Sequence, residues 1–257
     1  MNKTRRARWV WPTAVVTIIA ALGSAPAQAD RHQLWNLINL KCLRHLAKAE
    51  APIPCDSVDI SAGWDRGLAL LKDSVGRARL IAVPTHAVTG IEDPALQSPQ
   101  EPNYFAEAWA ARAGLEWRLQ GKIPLEAITI AVDSKSARDQ DQLGLVMDCL
   151  DKNVAAAIAA SAASLDDRWR PMGAKLMLRN YWARRIDAAG LSGPSPFRLL
   201  ADGIDGAKGD MSSWSLALVQ ANFADRPGFI LLADQSDGTS GGRATDLQDP
   251  ACAVVSP

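Results

Sequence analysis

Apolar positions along the chain alternate between helical spacing and short strand-like runs. Asp30 is placed to cap a helix reaching about Ala49, along which Leu34, Leu37, Ile38 and Cys42 recur three and four positions apart. Two apolar runs, Gly67 to Lys72 and Ala78 to Val83, flank the turn-forming Asp73-Ser-Val-Gly76 and predict a hairpin ended by Pro84. Residues 85–102 carry Pro94, Pro99 and Pro102 and read as loop. Asn103 caps a second predicted helix to about Gln120, with Phe105, Trp109, Ala113 and Trp117 on its apolar stripe and Gly121 as its stop.

A β-rich run from Ala127 to Val132, a polar turn from Asp133 to Asp141 and a buried run from Leu143 to Met147 predict a second hairpin. Asp151 to Leu165 is an Ala-rich helix. Met177 to Ile186 fits either strand or helix. Ser195 to Ile204 is a short helix entered through Pro196. Trp214 to Asn222 and Gly228 to Ala233 are two more strands around a turn containing Pro227, and the Gly/Ser/Asp-rich tail from Ser236 reads as loop. There are no internal repeats. Hairpins interspersed with helices predict a single α+β domain rather than a parallel doubly wound sheet.

Residues 1–29 follow another pattern. Lys3, Arg5, Arg6 and Arg8 precede an uncharged stretch from Trp9 to Ala29, which ends in the small-x-small sequence Ala27-Gln28-Ala29. This is the pattern of a cleavable export signal and predicts a periplasmic protein. The runner-up reading is an uncleaved inner-membrane anchor. Loss of the segment leaves 24 basic against 28 acidic residues. That balance offers no basic stripe for nucleic acid, but a local basic pocket for a phosphate-bearing small molecule remains compatible with it.

At 257 residues and 48% hydrophobic, the chain is neither a disordered tail nor a short disulfide scaffold. Its four cysteines, Cys42, Cys55, Cys149 and Cys252, suggest two disulfides in an oxidising compartment. Three pairings exist. Cys42 with Cys55 and Cys149 with Cys252 is the expected one, because the first two are close in sequence and flank a Pro-containing turn. The three histidines, His32, His45 and His86, are not spaced with the cysteines as a zinc site needs, and no metal or cofactor is expected. Gly238-Thr-Ser240-Gly-Gly242 matches Gly-x-Ser-x-Gly, but its flanks are turn formers and no histidine follows it, so it reads as loop.

The chain from residue 30 resembles the bacterial CDP-diacylglycerol pyrophosphatases. The likeness is carried by Cys42 and Pro54-Cys55, Leu71-Lys72-Asp73, Pro84-Thr85, Gly90-Ile-Glu92, Pro102-Asn-Tyr-Phe105 and Ala108-Trp109. Arg168-Trp169, Ala183-Arg184-Arg185, Ser195-Pro-Phe197 and Leu231-Leu-Ala233 continue it. The resemblance implies a histidine-triad-like antiparallel sheet with packed helices. It also implies hydrolysis of CDP-diacylglycerol to CMP and phosphatidate at the inner membrane. In the family a strand reading Gln-Asn-His-φ-His-φ-His presents three histidines on one face, and the middle one attacks the α-phosphorus. Here the three positions hold Gln142, Gly144 and Val146, and Asp133 stands where the family has a separate asparagine before the turn.

Glycine cannot form a phosphoramidate and valine cannot relay a proton, so the resemblance implies reduced or lost catalysis on a retained fold. Ser134, Lys135, Arg138 and Gln140 keep the polar character of the phosphate-facing turn and are the candidate phosphate ligands. The implied partner is a lipid nucleotide or another phosphate-bearing small molecule, with a membrane surface as a further candidate. Two other readings accompany this one. The first is a non-catalytic phospho-ligand or partner-binding module. The second is a hydrolase holding a divalent ion with Asp133, Asp139, Asp141 and Asp148.

Overall fold

The computed structural model describes residues 30–224 and 226–255, so the predicted export segment lies outside the described residues. Its core is one nine-stranded sheet in which every neighbouring pair is antiparallel. The strands are β1 (Ser57–Asp59), β2 (Leu68–Lys72), β3 (Leu80–Pro84), β4 (Ile128–Val132), β5 (Leu145–Cys149), β6 (Arg170–Pro171), β7 (Trp182–Asp187), β8 (Trp214–Asn222) and β9 (Pro227–Gln235). They lie in the order β1-β2-β3-β5-β4-β8-β9-β7-β6. The predicted hairpins are therefore present, and β3 joins them by pairing with β5.

Alternation divides each strand between two cores. On one face Ile128, Ile130, Leu145, Met147, Leu216, Leu218 and Leu231 are buried in the largest apolar cluster. That cluster also holds Tyr104, Phe105 and Ala108 of α3 (Tyr104–Ala110), Leu115 of α4 (Ala113–Leu119), and Phe197 and Leu200 of α6 (Pro196–Gly203). The other face carries two separate covers. Over β2 and β3 lies an N-terminal helix of three segments: α1 (Gln33–Leu37), a π turn (Ile38–Cys42) and α2 (Leu43–Ala47). It buries Ile38 and Cys42 against Ala69, Leu71 and Val83. Over β4, β8 and β9 lie α5 (Lys152–Ser161) and the C-terminal segment, with Val154, Ile158 and Leu247 against Ala217, Val219, Ile230 and Leu232. A cleft lies between the two covers, beside the start of β5.

Two disulfides tie these covers down. Cys42–Cys55 fastens the N-terminal helix, and Cys149–Cys252 fastens the C-terminus to the end of β5.

Three local expectations are revised, and the one left open between strand and helix is settled. The helix expected over 103–120 is two helices, because Arg112 donates to the Trp109 carbonyl at 2.9 Å while its guanidinium lies 4.9 Å from the Trp109 ring centre, turning the chain at Ala111-Arg112. The residue that stops α4 in a left-handed conformation is Gln120 (φ 53°) rather than Gly121, whose N–H reaches the Glu116 carbonyl. Residues 182–187 are strand, drawn into the sheet by six paired positions on β9. Pro227 begins β9 instead of sitting in the turn. The short edge strands β1 and β6 have too few residues to show a period.

Candidate functional site

Residues of β5 alternate between the core and the cleft. Leu145, Met147 and Cys149 are buried on the core side. Gly144 and Val146 point the other way, into a cleft of about 530 Å³. Gln33, Leu34 and Leu37 form one wall, Arg243 and Thr245 the opposite wall, and the 137–140 segment part of the rim. Ile81 of β3 and Val132 of β4 complete the floor beside Val146.

Gln142, Gly144 and Val146 thus all reach the cleft. Gln142 is only 3% exposed. Its amide donates to the His86 carbonyl at 3.0 Å and accepts from the Val88 N–H at 3.3 Å, so it is spent on fastening the segment after β3. The space beside Gly144 is already apolar. A Cβ there would lie 2.9 Å from Ile81 Cγ2 and 3.7 Å from Leu34 Cδ2. Val146 stands opposite Ile81 across the strand pair. The floor therefore offers methyl groups where a strand-borne nucleophile would stand. Among the described residues no histidine or cysteine lines the cleft.

Around this floor runs a set of committed ion pairs. Arg138 donates to both Glu92 oxygens at 2.6 and 2.8 Å, to Asp141 at 3.0 Å and to the Gln140 carbonyl at 3.0 Å. Gly90 permits this approach, since a Cβ there would come within 2.5 Å of the Arg138 guanidinium. Arg31 grips Asp141 with two bonds of 2.8 Å, and these contacts, with Arg138, hold the Asp141 carboxyl far below its ordinary range. Gln140 accepts from the Leu34 N–H at 2.8 Å and so caps the first turn of α1.

Deeper, Asp148 is fully buried and accepts from Arg79 at 2.8 Å and from the Cys149 N–H at 2.9 Å. Burial pushes its pKa up against these contacts. Asp133 accepts from the N–H and Oγ1 of Thr245 at 2.9 and 2.7 Å, and burial again raises its pKa. Arg243 reaches Asp133 only at 3.9 Å and leaves 46% of its side chain exposed. It is the least committed cation on the cleft wall.

Of the four candidate phosphate ligands, Arg138 and Gln140 line the cleft, whereas Ser134 and Lys135 do not. Ser134 is fully buried, with its N–H on the Gly242 carbonyl and its hydroxyl 3.1 Å from Ser136. Lys135 is exposed outside the cleft. Arg79, Arg243 and Thr245 were not anticipated from the sequence. The sole advance signal for Arg243 is a cation in an otherwise Gly/Ser-rich tail.

The carboxylates expected around a divalent ion do not converge. Asp133 is held by Thr245, Asp141 by the two arginines and Asp148 by Arg79, while Asp139 is exposed. Among the described residues the one grouping with metal-like spacing is Asp148 with Cys149 and Cys252, and those sulfurs are joined to each other in a disulfide. Ser240 sits in the loop after β9 and donates to Asp237 at 3.0 Å. His32 lies at the N-terminus of α1 and His45 on α2. His86 faces Glu101 at 3.2 Å, away from the cleft lining.

Comparison with known proteins finds similarity over nearly the whole chain. A family model described as CDP-diacylglycerol pyrophosphatase matches residues 29–256. A CDP-diacylglycerol pyrophosphatase of Yersinia pestis is 35% identical over 259 residues, which covers 99% of this chain and 98% of the relative.

Proposed function

Because the chain belongs to the CDP-diacylglycerol pyrophosphatase family, we propose that it keeps the family's histidine-triad-like architecture and its ligand cleft without the histidine-based hydrolysis. Its ligand is CDP-diacylglycerol or a related phosphate ester. One observation carries this reading: the row that faces the cleft reads Gln142, Gly144 and Val146, with Gln142 locked to backbone and Gly144 packed beneath Ile81 and Leu34. A covalent nucleotidyl intermediate needs a side chain at that spot that can bond to phosphorus, and none is there.

What remains suits binding. Arg243 is the group best able to meet a phosphate, because its charge is only partly answered by Asp133. Arg138 and Gln140 act on the ligand through the rim: Arg138 fixes the 138–141 segment and Gln140 fixes α1 beside it. The apolar floor of Leu34, Ile81 and Val146 excludes water from whatever lies on it. The two disulfides and the export-type leader support a periplasmic location, with residues 30–257 as one domain.

The test is to incubate the purified chain with CDP-diacylglycerol beside the Yersinia pestis relative and follow CMP release, with calorimetry for CMP, phosphatidate and CDP-diacylglycerol. The expected result is heat of binding with CMP release at least about 10³-fold below the relative, the order of loss that follows removal of a nucleophile. Release at the relative's rate overturns the proposal. Absence of heat with every ligand overturns its binding half.

A further inference from the structure

The hairpin between β6 and β7 closes in a way its residues disfavour. Leu176 and Arg179 exchange backbone hydrogen bonds of 3.0 and 2.8 Å, leaving a two-residue turn of Met177 and Leu178. Both adopt left-handed conformations, with φ of 46° and 66°. Turns of this kind take Asn-Gly, because bulky side chains strain the left-handed region. The strained pair is also displayed outward: Leu178 is 89% exposed and Met177 46%. Its base is rigid, since Leu176 is 1% exposed and Arg179 is fastened to Asp234 at 3.0 Å and to Ser240 at 2.9 Å.

The turn shares an end of the sheet with the 137–140 rim of the cleft. Trp182 pairs with Ala233, Trp214 with Gln235 and Leu216 with Val132, so the start of β7 lies at the same end as Asp133. The loop that takes Arg179 at Ser240 continues to Gly242, which accepts from the Ser134 N–H, and to Arg243 beside Asp133. Asp30 and Arg31 are at that end too, through Arg31 and Asp141. The residues just before Asp30 are the uncharged run from Trp9 to Ala29.

We propose that the Met177–Leu178 turn is a membrane-inserting tip, which dips into a lipid bilayer at the end of the fold where the uncharged leader precedes Asp30 and the 137–140 rim of the cleft lies. Two aliphatic side chains on a point cannot supply the roughly 800 Å² per partner of a stable protein interface. Fluid hydrocarbon needs no matching surface, and the exposed Lys175 beside the tip suits anionic headgroups. This goes beyond the cleft reading and holds whether or not the cleft does chemistry.

The full chain is reconstituted into phosphatidylethanolamine–phosphatidylglycerol vesicles carrying a lipid-borne quencher. An environment-sensitive fluorophore is placed on Leu178→Cys or, at the opposite end of the sheet, on Leu125→Cys; the four native cysteines are in disulfides. Insertion of the tip gives quenching at 178 about fivefold or more above that at 125. Equal quenching at both sites, or none at either, overturns it. A second label on Lys175→Cys removes the concern that the probe inserts by itself. Combined with Met177→Asn/Leu178→Gly, which suits the turn's backbone and keeps the fold, its quenching drops to the level at 125. Unchanged quenching in that variant overturns the proposal.

Discussion

The rim of the cleft and its floor are built on opposite principles. The rim is polar and saturated: Arg138 serves Glu92 and Asp141, and Arg31 serves Asp141. The floor is methyl against methyl, with Ile81, Leu34 and Val146 around a glycine. The rim ties together segments more than 100 residues apart and so fixes the shape of the opening. The floor holds the row where the family's chemistry would be performed, and among the described residues its one tie to the rim is Leu34, whose N–H is held by Gln140. Shape and reactivity are therefore separable here, which is the physical basis of the proposal that the ligand site is kept without the reaction.

The largest expected effect is at the deepest ion pair. Arg79→Ala strands a fully buried carboxylate and is expected to lower stability at neutral pH by about 3 kcal/mol, the order seen when one partner of a buried pair is removed. Urea unfolding measures it. Because burial already raises the pKa of Asp148, part of the loss is recovered as pH falls and the stranded group takes up a proton. Adding Asp148→Asn should recover part of it at neutral pH as well. A loss as large in that double variant would mean that Arg79 acts by packing and not by charge.

The floor breaks by overpacking. Gly144→Ala drives a methyl against the stiff Ile81 Cγ2 and is expected to cost about 1–3 kcal/mol. In an Ile81→Ala background the same change should cost markedly less, and a double-mutant cycle reads the coupling. Replacing Gln142, Gly144 and Val146 by histidine together should not raise CMP release until Ile81 is also trimmed, because the middle Cβ would lie 2.9 Å from Ile81 Cγ2. Restored turnover in the triple variant alone would show that the floor yields.

How much of this was legible in the sequence depends on distance along the chain. The hairpins β2–β3, β4–β5 and β8–β9 each join neighbouring apolar runs across a turn, so period and turn chemistry expose them. The cleft-facing row 142, 144 and 146 was legible through the family resemblance and strand alternation. Arg79 meeting Asp148 is different: the two are 69 residues apart and neither lies in a motif. The filling of the Gly144 position by Leu34 and Ile81 brings together three strands of sequence that no local pattern connects. Ser134 and Lys135 belong to the expected turn, yet the turn rolls Ser134 inward beneath Gly242 and sends Lys135 outward. Periodicity gives no direction for a side chain once the strand has ended.

A smaller effect is expected on the cleft wall. Arg243→Ala removes the cation with the weakest protein partner, so stability should stay within about 0.5 kcal/mol, while affinity for CMP or phosphatidate falls about tenfold, the worth of one charge-assisted contact. Calorimetry on the folded variant separates the two. Undiminished affinity would move the phosphate site away from Arg243.

The smallest effect is the pH response of the rim at Asp141. Its folded pKa is depressed, chiefly by the bonds from Arg31, so the pair contributes stability above the unfolded carboxylate value of about 3.9 and loses it as pH falls below that value. Arg31 is 40% exposed, so the contribution is expected to be under about 1 kcal/mol. What it holds matters more than its size, since Arg31 and Gln140 together seat the first turn of α1 on the cleft wall. As pH falls from about 4 toward 2, protection factors (exchange rates divided by the intrinsic rate at each pH) at Leu34 to Ile38 should drop, whereas those of β8 and β9, in the middle of the sheet, hold. Asp141→Asn should produce the same local loss of protection at pH 7. If protection at those amides is unchanged across that pH range, the rim is held by Gln140 and by the disulfide at Cys42, and the Arg31 pair is surface decoration.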